Sequence, residues 1–115
     1  MERLLTKEEL PIGFEYPLSF LTIVNQNLVD FDPWIILTEK RLRERLSGVK
    51  QRYPNRELVP FARREDNDDI ACFENQKGVV IIHDFASEGY EGGKEVISFW
   101  DYFRLMVEDM IEYNS

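Results

Sequence analysis

The chain is poor in the side chains from which small catalytic and metal centres are built: it has one histidine and one cysteine among 115 residues. His83 cannot pair with a second imidazole, and Cys72 is the sole thiol, so a structural zinc site is excluded. No disulfide can close within the chain, which suits a reducing cytoplasm. Cys72 falls inside an apolar run beside Asp69 and Glu74, whose charges disfavour a thiolate, so it reads as a small buried hydrophobe. Glycine is sparse too, and the glycines at 89, 92 and 93 follow neither phosphate-loop spacing. Asp66-Asn67-Asp68-Asp69 opens like a calcium loop, but positions six and twelve are Ala71 and Lys77, where the loop needs Gly and Glu. His83 and Asp84 are neighbours on a predicted strand and so point to opposite faces, which argues against a dyad. No apolar run approaches the length of a membrane span, and the early charges of MERLLTKEELPIGFEYP are unlike a signal peptide. No catalytic residue and no cofactor are expected.

Basic residues are the scarcer charge, 14 against 22 acids, for a net charge of −8. Residues 1–57 hold nine acids and nine bases, whereas residues 58–115 hold thirteen acids and five bases, so the whole imbalance lies in the second half. Such a field repels nucleic acid and anionic lipid and attracts basic surfaces.

What is present supports one folded domain spanning residues 1–115. The chain is 43% hydrophobic and 13% aromatic, enough for a core of its own. Leu58 to Glu74 reads strand, polar turn, strand: Leu58 to Ala62 and Ile70 to Phe73 are apolar, and Arg63 to Asp69 are all polar or charged. Pro60 cannot donate to a ladder, so its strand is expected to lie at an edge or to start late. Val79 to Ile82 is an unbroken, β-branched run of the kind buried on both faces, predicting the central strand, with Glu95 to Ile97 a short last strand. Pro17 can open a helix with Leu18, Leu21, Val24 and Leu28 on one face. Asp32-Pro33 reads as a second helix start, leading into one turn at Trp34 to Ile36. Leu42, Leu46, Val49 and Tyr53 predict a helix over Thr38 to Tyr53, ended by Pro54. Ser98 with Asp101 predicts a capped last helix, with Phe99, Phe103, Met106, Met110 and Tyr113 facing the sheet. The fold class is α+β: a small, mostly antiparallel sheet of three to four or more strands, packed against a C-terminal helix and N-terminal helices.

The polar side of the Thr38–Tyr53 helix carries Lys40, Arg41, Arg43, Arg45, Lys50 and Arg52. Glu39 and Glu44 interrupt it and no aromatic is interleaved for base stacking, so it reads as a face that neutralises the acidic half of the domain.

Pro60-Phe61-Ala62, a short acidic turn and Asp69-Ile70-Ala71-Cys72-Phe73 resemble the central hairpin of the SUKH superfamily, which includes a yeast cell-wall-synthesis regulator and the Syd protein. Gly78 to Phe85 sits where that family places its next strand, and Ser98 to Phe103 resembles the opening of its last helix. Asn25-Gln26-Asn27 stands where the family has a glycine-containing turn. The resemblance implies the same α+β layout. Bacterial members are often immunity proteins that neutralise toxins, many of them nucleases, by direct contact. It therefore implies a non-catalytic cytoplasmic binding protein whose partner is a basic toxin domain. The alternative is a regulatory scaffold with several weaker partners, and a small-molecule enzyme is the third reading. The expected contact patch is Glu65, Asp66, Asp68, Asp69, Asp84, Glu88, Tyr90 and Glu91, with Tyr90 as its anchor. The same acidic turn also has a purely local reading, in which its side chains bond their own backbone and shape the hairpin.

Overall fold

The polar cluster between two apolar runs does fold as a hairpin. In a computed structural model that describes residues 1–76, 78–87, 89–93 and 95–115, β3 (Val59–Arg64) and β4 (Asp69–Glu74) pair antiparallel around a four-residue turn at 65–68. Asn67 Oδ1 accepts from the Asp69 amide at 3.0 Å and Asp68 sits at φ 62, so the turn is shaped by an Asx bond and a left-handed residue. The other elements are α1 (Leu18–Asn25), β1 (Asp30–Phe31), β2 (Trp34–Ile36), α2 (Glu39–Arg52), β5 (Gly78–His83) and α3 (Phe99–Tyr113). The five strands form one antiparallel sheet in the order β1-β2-β3-β4-β5. The fold is α+β, with the C-terminal helix packed against the sheet.

Strand alternation sorts the helices onto two faces. Trp34 and Arg64 are cross-strand partners and both reach Asp109 of α3, through Trp34 Nε1 at 2.9 Å and Arg64 Nη1 at 3.0 Å. The next pair, Ile35 and Arg63, faces Arg41, Glu44 and Arg45 of α2. So α2 covers one face, and α1 and α3 cover the other. The α1–α3 side is an aromatic core in which Phe20, Phe61, Phe73, Phe99, Tyr102 and Trp34 meet edge to face or stacked, with Phe61 and Phe73 4.3 Å apart. Each such pair is worth about 0.5–1.5 kcal/mol beyond area burial. Among the described residues, no helix is long and apolar enough to cross a membrane.

Several expectations need correction. Trp34-Ile35-Ile36 is strand β2, and Asp32-Pro33, a cis bond, lies in the turn from β1 rather than at a helix start. Three consecutive apolar residues suit a strand covered on both faces as well as a helical turn. α1 ends at Asn25 and buries Phe20, Ile23 and Val24; Leu18 and Leu28 are exposed, because ring packing of Phe20 sets the helix rotation. β3 is an inner strand, but β2 reaches only Ala62, and the register shifts between Pro60 and Ala62, so Pro60 meets no ladder on that side. β5 is outermost, not central. Its edge is closed by the segment after it: Val79 and Ile97 exchange amide bonds at 2.8 and 3.0 Å, and the His83 amide donates to the Glu91 carbonyl. A covered edge strand has the composition of a central one. The predicted strand at 95–97 is a single bridge, Val79 with Ile97. On α3 the buried residues are Phe99, Tyr102 and Met106, with Phe103 and Met110 partly buried and Tyr113 exposed.

Candidate binding site at the end of the sheet

The pairing of Asp69 with His83 places the acidic turn beside the end of β5. His83 Nδ1 lies 2.7 Å from Asp69 Oδ1 at the end of the strand. The next residue points to the other face. The Asp84 side chain is almost wholly buried and is flanked by α2: Arg52 Nε donates to Oδ1 at 2.8 Å and Arg45 Nη1 lies 3.7 Å from Oδ2. Oδ1 also accepts the amide of Phe85 at 3.1 Å. The basic face of α2 thus neutralises the acidic half at a named carboxylate. Arg43 instead turns toward the N-terminal segment, where it meets Glu9.

Phe85 follows at φ 66, a conformation that costs a bulky residue on the order of 1–3 kcal/mol. The residue is 59% exposed and its ring lies over the Arg52 guanidinium, 4.1 Å from the ring centroid, with Arg45 at 5.7 Å. The cation–π contacts return part of that cost, each about 0.5–1 kcal/mol at an exposed site. An exposed aromatic is therefore held in one orientation from below. Beyond it Tyr90 is 79% exposed, with its amide bonded to the Ser87 carbonyl at 2.9 Å. Gly93, at φ 76, lies against Ile82 so closely that an added Cβ would strike its side chain.

The eight residues expected as an acidic patch are thus not equivalent. Asp84 is no part of any surface, because two arginines hold it inside. The Glu91 side chain is mostly buried near Arg56 Nη1, at 3.9 Å, rather than displayed. Asp66 and Asp68 are exposed but paired, with Arg64 at 2.7 Å and Arg63 at 3.0 Å; the bond to Asp66 is the main cause that raises the Arg64 pKa. Asp69 is half-buried against His83, whereas Glu65 and Tyr90 are open to solvent. Glu88 lies outside the described residues. What emerges is a bipolar surface carrying two aromatics. Phe85 opens the loop beside the turn but is not among the eight patch residues; its signal in the sequence is an aromatic just after the polar pair that ends the strand.

Among the described residues no group of three or more histidine, cysteine, aspartate or glutamate side chains could hold a metal ion. The Cys72 thiol is fully buried, and burial, then the charge of Asp84, pushes its pKa well up, so it is no nucleophile. A cleft of about 450 Å³ between the N-terminal segment and the α2–β3 connection is lined by Glu9, Lys50, Tyr53 and Arg56, but Glu9 is committed to Arg43 and Arg56 to Glu74. Comparison with protein-family models, with curated proteins and with solved structures finds no match for this chain.

Proposed function

We infer that this domain is a non-catalytic binding protein that docks on a basic protein partner through Phe85, Tyr90 and the Glu65–Asp68 turn. The observation that carries this reading is Phe85: exposed, fixed at a positive φ, and supported by two arginines that a buried aspartate holds in place. An aromatic fixed before binding loses little entropy on docking, and aromatic anchors carry most of an interface's energy. Around it, the acids of the turn steer a basic partner, setting the rate of encounter more than the affinity. The resemblance of the hairpin, of Gly78 to Phe85 and of Ser98 to Phe103 to the SUKH superfamily supports an immunity protein, acting in the cytoplasm on a basic toxin domain.

The test is capture from lysate of the source organism, with the purified partner then measured by surface plasmon resonance. One basic protein should be retained in about equal amount. Phe85→Ala should weaken it by about thirtyfold, equivalent to about 2 kcal/mol. Asp68→Lys should slow association and leave dissociation nearly unchanged. A partner held as tightly and as quickly by both variants would rule out this surface, and several weak partners in place of one would favour a scaffold.

A further inference from the structure

α3 carries a second apolar stripe of which the core uses only part, packing against Phe103 and Val107 and leaving Trp100 and Ile111 exposed. Trp100, Phe103, Val107 and Ile111 recur at helical spacing, on the flank turned toward β1, where the Phe103 and Phe31 rings lie 5.5 Å apart. Trp100 is 46% and Ile111 60% exposed, Phe103 and Val107 are half-buried, and the Trp100 and Phe103 rings are in contact at 5.5 Å. β1 is the outermost strand on that side, so the stripe runs along an open margin of the molecule.

The rim of the stripe indicates what covers it. Arg104 and Glu108 lie one turn apart, next to the stripe and on its solvent side, and both are exposed. Elsewhere α3 is acidic, with Asp101, Asp109 and Glu112, so a rim selected for a basic partner would carry no arginine at its centre. An arginine and a glutamate at i and i+4 are complementary to themselves read backwards. A second α3 laid antiparallel about a two-fold axis sets Arg104 of each copy against Glu108 of the other, and Trp100 of each near Ile111 of the other. That is the reciprocal pattern an isologous interface requires. Among the described residues Arg104 is paired with Asp101 alone, at 3.4 Å with both side chains largely exposed, and so gives up little on changing partner.

We propose that the protein self-associates into a two-fold dimer through the Trp100–Phe103–Val107–Ile111 stripe of α3, with reciprocal Arg104–Glu108 pairs fixing the register. The surface is separate from Phe85 and Tyr90, and it stands or falls independently of the binding role.

Sedimentation equilibrium across micromolar to high-micromolar concentration tests it, alongside tryptophan emission. Trp34 is buried already, so a blue shift with concentration reports Trp100. Arg104→Glu and Glu108→Arg should each raise the dimer dissociation constant by about tenfold. The double variant, with the charges exchanged, should return it to near the wild-type value. Both residues are exposed, and circular dichroism with unfolding midpoints confirms that the variants fold. A monomer at every concentration overturns the proposal, including one whose Trp100 emission shifts only when another protein is added. So does a dimer that neither single change weakens, or one that the exchange fails to restore.

Discussion

The hydroxyl of Tyr102 is fully buried between α3 and the sheet and has no hydrogen-bond partner among the described residues, while its ring packs edge to face on Trp34 and Phe61. A buried polar group without a partner costs on the order of 1–3 kcal/mol. Tyr102→Phe keeps the ring and removes the cost, so stability in urea should be unchanged or should rise by about 1 kcal/mol. Tyr16 gives the contrast: its hydroxyl accepts from the Leu5 amide at 3.3 Å, so Tyr16→Phe strands a donor and should lower stability by about 1 kcal/mol. Equilibrium unfolding of the two variants side by side decides whether these hydroxyls differ as the geometry says.

At the scale of elements, α3 begins as its sequence specifies, with Ser98 Oγ accepting from the Asp101 amide at 3.2 Å. Ser98→Ala should cost about 1 kcal/mol, read from the shift in urea midpoint at unchanged slope. The hairpin, α2 and α3 were all legible, because each combines a strong period or turn cluster with its own stop or start signal. β2 and α1 were not. Trp34 to Ile36 is too short for its period to separate a strand from a helical turn, and the choice is made by Ala62, Arg63 and Arg64 on the neighbouring strand. The rotation of α1 follows from Phe20 meeting Phe61, Phe73 and Phe99, none of them near it in sequence. β5 was misplaced for the opposite reason: its composition reports burial correctly, but it cannot say whether a strand or a strap supplies the cover.

Across the whole molecule, charge is spent internally more than its net value suggests. Glu9 ties the N-terminal segment to α2: its carboxylate takes two bonds from Arg43, at 2.9 and 3.0 Å, and one from the Thr6 amide, while Arg43 also bonds the Leu4 carbonyl. Those bonds, Arg43 first, hold the Glu9 pKa at about 2 instead of 4.5. A carboxyl depressed on folding contributes stability that is present above its unfolded pKa and lost as pH falls through its folded one. The contribution of Glu9 is therefore complete above pH 4.5 and fades toward pH 2. Glu9→Gln should unfold more easily than wild type at neutral pH, with the difference closing over that window in an acid titration followed by circular dichroism. The same internal pairing explains why the candidate site was only half legible. Sequence gives the acids of the turn and the aromatic Tyr90. It cannot show that Asp84 belongs to Arg45 and Arg52, which lie more than thirty residues back, nor that this pairing leaves Phe85 standing out.

Cys72 lies on β4, with strands on both sides, and has no exposed surface. The domain thereby carries its own clock. A thiol reagent can reach that sulfur only when the middle of the sheet comes apart, so the rate at which native protein is alkylated measures how often the molecule opens, with no label introduced and no residue changed.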